Sequence, residues 1–276
     1  LLPVSRSWKF KEADVLRIIL LLKWKSLKAQ LQYNASFAVQ MISVSFTGFL
    51  RFPALLILTS AFGDIGGWNA WDLVFLIALV QMAHGVHHAL FFQFYYHRRY
   101  VRLGELDRLL VRPVHPILQF MAASLPIAAV GEFIPGAVLL VAASAGADLA
   151  WSLFDVVFLG VVILSGAVIE GALDLFFATF DFWFEQANLQ WLPDAFREAP
   201  AFYPVHIYGS FLSFALTFIF PFAFVAYYPA HHFLGREVPI YGQALVYLAP
   251  VVAAVSMVIA VAFWSVGLRR YQSSGT

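Results

Sequence analysis

"IYGSFLSFALTFIFPFAFVAYYPAHHFLG", residues 207–235, carries enough apolar side chains to form one membrane-spanning helix, yet Pro221 stands in its middle. A proline there removes a helix hydrogen bond and clashes with the preceding turn. The stretch before it, "EQANLQWLPDAFREAPAFYP" (185–204), is semi-polar. Two placements follow. In one, 184–204 stays in water and 206–228 crosses. In the other, 186–204 crosses under the cover of neighbouring helices and 206–235 dips in and returns, turning at Pro221. Polar groups at membrane depth are tolerated only where protein or a cavity covers them.

The rest of the chain sets the frame for that choice. Of its 276 residues 62% are hydrophobic and 12% charged, and mean hydropathy is +0.79. Soluble domains carry about 45–50% apolar and about 25% charged residues, so the composition is that of a multi-span helical membrane protein. Five segments are long and apolar enough to cross: Ala35–Phe62, Leu73–Tyr95, Ile117–Ala143, Ser152–Trp183 and Ala244–Val266. A net charge of +1 offers no field for nucleic acid, and without cysteine there is no disulfide, thiolate metal site or cysteine nucleophile. The charged start, "LLPVSRSWKFKEADVLR", is not patterned as a signal peptide, and with Leu1 in place of methionine the numbering is expected to begin inside a longer reading frame.

Basic residues set the orientation. Seven lie in the first 28 residues, five between Arg98 and Arg112 and two at Arg269 and Arg270, fourteen of 17 in all, while 63–72 and 144–151 have none. The positive-inside rule then puts both termini and the 96–116 loop in the cytoplasm. Two cytoplasmic termini need an even number of crossings, so a sixth lies within 184–240. The N-terminal 1–34 reads as an amphipathic helix on the inner membrane surface, with Trp8 and Trp24 at the headgroup boundary and lysines between apolar residues.

Several polar groups fall inside spans and are candidates for a hydrophilic path: Arg51, His84, His88, Glu132, Glu170 and Asp174. Each such charge costs about 2.5–3.5 kcal/mol on insertion scales. A structural ion pair, Arg51 with Glu132 for instance, explains them equally well. "HGVHH" (84–88) has the H-x-x-H-H form used by membrane di-iron hydroxylases. The chain's eight histidines are spread over both sides of the bilayer, however, and iron sites need converging ligands. No metal site is therefore expected. There is no P-loop, no G-x-S-x-G and no H-E-x-x-H.

"GELDRLLVRPVHP" (104–116) remains. Glu105, Asp107, Arg108 and Arg112 alternate with Leu106, Leu109, Leu110 and Val111, and the two prolines then end the helix. A short helix with an apolar side and both signs of charge is shaped to dock into a groove.

At these residues the chain resembles the ABC-2-type permeases, the membrane subunits of ATP-binding-cassette exporters, and is most similar to their short stand-alone branch. The resemblance is carried by "GGWNAWDLVFLIAL" (66–79), "GELDRLLVRPVHPILQF" (104–120), residues 202–235 and "GLRRYQSSGT" (267–276). It implies an all-α membrane protein with six transmembrane helices, an N-terminal connecting helix (1–34) and a transmembrane domain (35–276). It implies a coupling helix at Gly104, Glu105, Leu106, Asp107, Arg108, Leu109 and Arg112, and a re-entrant extracellular segment (206–235) before the last span. The function it implies is ATP-driven export across a bacterial inner membrane by two permease chains, identical or similar, and two ATPase subunits. ATP and Mg would bind the ATPases, and no cofactor this chain. A histidine-metal oxidase and an ATP-independent secondary transporter are the alternatives.

Overall fold

A computed structural model describes residues 21–29, 34–123, 125–126, 128–184, 189 and 191–271; the expected surface helix before residue 21 lies outside them. The described residues are helical throughout, apart from turns and one isolated bridge between Ile65 and Trp68. In chain order the helices are α1 (21–29), α2 (Asn34–Phe62), α3 (Ala70–Phe91), α4 (His97–Arg102), α5 (Glu105–Leu110), α6 (Pro116–Ala123), α7 (Ala128–Gly146), α8 (Leu153–Thr179), α9 (Trp191–Phe202), α10 (Ser210–Phe214), α11 (Tyr227–Phe233) and α12 (Ala249–Leu268).

Five helices are long and apolar enough to cross a membrane: Ala38–Phe62, Ala70–Arg102, Ala129–Gly146, Leu153–Phe182 and Ala249–Leu268. A sixth candidate, Ser210–Ile219 with Phe222–Phe233, is bent by 74°. The break falls at Phe220 and Pro221, where proline cannot continue the helix.

The third span differs from its sequence reading. Ile117–Ala143 is two helices, α6 and α7, and the crossing length belongs to Ala129–Gly146. Pro126 lies between them. Proline disfavours helical backbone in the residue before it, and its carbonyl accepts from the N–H of Ala129 at 3.1 Å to start α7.

α3 is the central helix. Of its most apolar window 72% is buried, against 11% for α2 at the periphery. Leu73 through Val80 are all buried, so this helix is apolar around its whole circumference, as a helix enclosed by others must be. It packs on α2, α7, α8 and α9, and α12 packs on α8. Small residues allow the closest of these approaches. At Gly136 of α7, a Cβ would stand 2.9 Å from the backbone nitrogen of Met82; at Gly85 of α3, 2.9 Å from that of Phe133.

Two capping boxes mark where chains enter the bundle at one end. Asn69 caps α3 with Asp72, and Ser152 caps α8 with Asp155, each satisfying N–H groups that a helix start leaves open. The bent segment belongs to that end at both of its limits. His206 bonds the carbonyl of Gly66, and Arg236 donates to the carbonyl of Gly67 and pairs with Asp72. His232 pairs with Asp155 at 2.7 Å. The chain thus leaves the 63–72 turn region and returns to it.

The opposite end is held by His97. It is fully buried, donates from Nδ1 to Asp181 at 3.2 Å and accepts at Nε2 from the indole of Trp264 at 3.2 Å. Within the stretch read from sequence as the 96–116 loop, the fold makes His97 a joint between α4, the end of α8 and α12. Asp181 at this end and His206 at the other bracket α9 in the sequence, and α9 packs against α3 and α8 between them. α1 lies across the α4 end. Its Leu21, Leu22 and Trp24 are exposed, while Lys23 turns inward to the carbonyl of Ala89. Burial lowers the Lys23 amine to about 8.

Gly136→Val is expected to lower stability by about 1–3 kcal/mol, the cost of overpacking a tight contact. Gly160→Ala, where a Cβ meets nothing within 4 Å, is expected to be neutral or slightly stabilising. Thermal unfolding of both variants in detergent checks the contrast.

Candidate functional site

Two features carry the sequence-selected residues: a polar cluster inside the bundle and the short helix α5 at one end.

The cluster is built on α3. His84, His87 and His88 sit at i, i+3 and i+4, so their side chains share one side of the helix. Ring centroids are 5.3 Å apart for 84 and 87, 4.2 Å for 84 and 88, and 5.4 Å for 87 and 88. Acids come from two neighbouring helices. Glu170 of α8 places Oε2 2.5 Å from Nδ1 of His84 and 3.5 Å from Nδ1 of His87. Asp174, one turn on, takes Nε2 of His87 at 2.8 Å. Glu132 of α7 lies 3.0 Å from Nδ1 of His88 and 3.6 Å from Nε2 of His84.

α9 completes the cluster with Arg197. Its Nη1 stands 3.0 Å from Nε2 and 2.7 Å from Nδ1 of His84, and 3.7 Å from Glu170. Since Nδ1 faces the Glu170 carboxylate, Nε2 is the acceptor for the guanidinium. Asp194 binds Arg197 from behind at 3.2 Å and is itself half exposed. The other members are buried or nearly so. The buried fixed charges are three carboxylates against one guanidinium, which the half-exposed Asp194 also engages.

The candidates Glu132, His84, His88, Glu170 and Asp174 therefore meet in one place. Glu132 is not mid-span; it lies in the second turn of α7, and the cluster sits toward the α5 end of the bundle. Arg51 is elsewhere. α7 meets α2 with Gly131 against Met41 and Val44, so Arg51 lies at least seven residues farther along α2, about 10 Å at 1.5 Å per residue. Glu132 is engaged by histidines.

Two members escape the sequence reading. His87 was passed over for the i, i+4 pair of 84 and 88, although i+3 shares that face equally well. Arg197 sits in a stretch whose apolar residues Leu192, Ala195, Phe196 and Ala199 recur at helical spacing, a signal that, with Asp194 three residues before it, could have marked an amphipathic helix carrying a paired charge. The other five histidines do not converge here. His97 serves Asp181, His206 and His231 bond around Tyr227, His232 binds Asp155, and His115 lies beside Trp264. A di-iron set of eight ligands is not assembled.

The second feature begins at Gly104, whose φ of +64° caps α5 in the left-handed region that glycine adopts at least cost. Leu106 is fully buried beneath the helix, while Arg108, Val111 and Arg112 are exposed. Glu105 lies 3.7 Å from both Arg99 and Arg108; exposed pairs of this kind add about 0–1 kcal/mol and mainly set side-chain direction. Gln119 of α6 donates to the carbonyls of Leu109 and Val114, each at 2.7 Å, tying α5 to the bundle. Tyr271 lies beside Asp107; burial first and that carboxylate second push its phenol up to about 12. Burial likewise lowers His115. A groove of about 950 Å³ opens between α1 and this region, lined among others by Leu22, Lys25, Tyr100, Glu105, Arg108 and Arg112.

With Arg197 replaced by glutamine, the buried carboxylates lose the guanidinium that pairs with Glu170, and the variant is expected to lose on the order of 3–5 kcal/mol. Adding Glu170→Gln should recover at least about 1 kcal/mol of that loss if the two groups are coupled. Chemical unfolding of the single and double variants in chelator-containing micelles measures the coupling.

Residues 34–275 match the model of a family described as ABC-2 family transporter protein. No curated protein and no solved structure matches the chain.

Proposed function

The chain belongs to the ABC-2 transporter family, a membrane permease family, and from that premise we propose that it is the permease of an ATP-driven exporter, moved by separate ATPase subunits that hold it at α5. The observation that carries this reading is the form of α5. Arg108, Val111 and Arg112 project from the end of the bundle, while Leu106 and the Gln119 bonds fix the helix to what lies beneath. An exposed mixed face on a firmly rooted helix suits docking into a groove, with the charges setting register. The groove beside α1 would let the same partner touch the connecting helix.

ATP and Mg belong to the ATPase subunits in this proposal. Two of them serve two permease chains, the second a copy of this one or a similar chain. The basic residues around α4, α5 and the chain ends support placing that side in the cytoplasm of a bacterial inner membrane. The 206–235 segment is then re-entrant from the outside, a reading favoured by its 74° bend and by the return of both its limits to the 63–72 region. The fifth crossing then falls to residues 186–204, of which α9 packs against α3 and α8. His84, His88, Glu132, Glu170 and Asp174 are closed within one chain, so we read them as bracing the helices. Arg51 is kept as a candidate for the cargo path.

Replacing Arg108 and Arg112 together by glutamate is expected to weaken retention of the ATPase subunits at least about tenfold, the effect of losing a docking contact worth about 1.4 kcal/mol or more. The variant should keep the elution profile and helicity of the parent. Quantified co-purification from membranes provides the measure. Undiminished ATPase retention and undiminished export by the variant would refute coupling through α5.

A further inference from the structure

We propose that His84, His87 and His88 bind one divalent first-row cation of the zinc type, which ties α3 to α7 or α8 through a fourth, carboxylate ligand. The ligand nitrogens of the three histidines lie within 4.8 Å of one another. Donors on one zinc are about 2.0–2.1 Å from the metal, hence about 3.3–3.4 Å apart in a tetrahedron. Small ring rotations close that gap.

Three independent features of the cluster favour a cation. The first is orientation. Asp174 takes Nε2 of His87, which leaves Nδ1 as the bare acceptor facing the cluster. A carboxylate behind a histidine is the usual support of a metal ligand, because it fixes the tautomer and raises basicity. The second is unmet bonding. His87 Nδ1, His88 Nδ1, Glu132 Oε2 and Glu170 Oε1 are all buried without an aligned hydrogen bond. His88 and Glu132 are close as charges but badly aligned for a hydrogen bond. Four such atoms in one buried place are costly unless something else satisfies them. The third is charge. With neutral imidazoles, Glu132, Glu170, Asp174 and the half-exposed Asp194 against Arg197 leave the cluster net negative, which favours a dication. Glu132 or Glu170 is placed to supply the fourth ligand. Imidazole and carboxylate together suit zinc, cobalt, nickel and iron, and the chain has no thiolate to compete.

Arg197 gives the site a competitor. Its guanidinium occupies Nε2 of His84, so a metal that uses this nitrogen must displace it toward Asp194, its second partner. Removing the guanidinium should therefore strengthen binding, which adventitious surface sites would not do.

The test uses full-length protein purified in detergent through a tag without histidine, stripped with chelator and titrated with Co(II). The expected result is one equivalent per chain, with visible absorption bands of a tetrahedral or five-coordinate nitrogen–oxygen site and a raised unfolding temperature. His84→Gln, His87→Gln and His88→Gln should each reduce affinity at least tenfold. Glu132→Gln and Glu170→Gln, compared side by side, identify the fourth ligand. Arg197→Gln should raise affinity several-fold. Each variant is checked for monodispersity and helicity. Absent saturable binding to folded parent protein, or binding unchanged by all three histidine variants, overturns the proposal. So does weaker binding by folded Arg197→Gln. None of these readouts involves ATPase subunits, so their failure leaves the transport assignment where it stands.

Discussion

Charge inside a membrane must be compensated within the protein, and much of this structure follows from that requirement. An ionised side chain at depth costs several kcal/mol unless partners satisfy it. α3 carries three imidazoles, and α7 and α8 bring three carboxylates to the same level. No basic residue on those three helices reaches this level, so the cation comes from another part of the chain. α9 delivers it as Arg197. This accounts for a short, semi-polar helix being packed against α3 and α8 instead of lying in water. The contacts that compensate its arginine also cover its polar backbone, as membrane depth demands.

The same logic operates at both ends. Near α5, His97 joins Asp181 and Trp264. At the opposite end, Arg236 with Asp72 and His232 with Asp155 hold the bent segment to the starts of α3 and α8. Each acid has a second task there, because Asp72 and Asp155 also complete capping boxes. α8 thus takes part at all three levels, through Asp155, through Glu170 and Asp174, and through the nearby Asp181. Its neighbours are registered against it by polar contacts spaced along its length, which apolar side-chain packing alone would specify less uniquely.

How much of this was legible depended on which physical signal each element emits. Long apolar runs announce themselves, so α2, α3, α8 and α12 fell where hydropathy put them, within a few residues. Gly104 and the prolines at 113 and 116 bounded α5 because each imposes a backbone constraint that needs no tertiary context. The break in the third span was missed because Pro126 sits among residues as apolar as those around it, and hydropathy does not register a lost N–H. α9 was seen only as one of two placements. Its stability rests on Arg197 meeting groups more than 25 residues away, and no local pattern encodes that meeting. Lys23 counted toward a positive inner face, yet it is buried, since its long apolar stem lets the amine reach the carbonyl of Ala89. His87 was within reach of sequence reasoning, which treated the face of α3 as narrower than a helix face is.

The path from α5 to the polar cluster is short in sequence and uneven in stiffness. α5 follows α4 directly, and between α4 and α3 lies a 3-10 turn, Phe92–Tyr96. Such turns have poorer hydrogen-bond geometry than the α-helix and often mark hinges. His97 pins the chain just beyond this turn, and His88 pins it four residues before. Under the proposed coupling, a push on α5 would have two outlets. It can deform the turn between the two pins, leaving the cluster intact, or it can carry α3 along and separate His84, His87 and His88 from the acids of α7 and α8. The second course exposes unpaired charge in a region that excludes water, whereas the first only bends a weak helix. On that difference the turn would yield first, and under the proposed coupling the bundle above it would move as one body, held whole by the polar cluster.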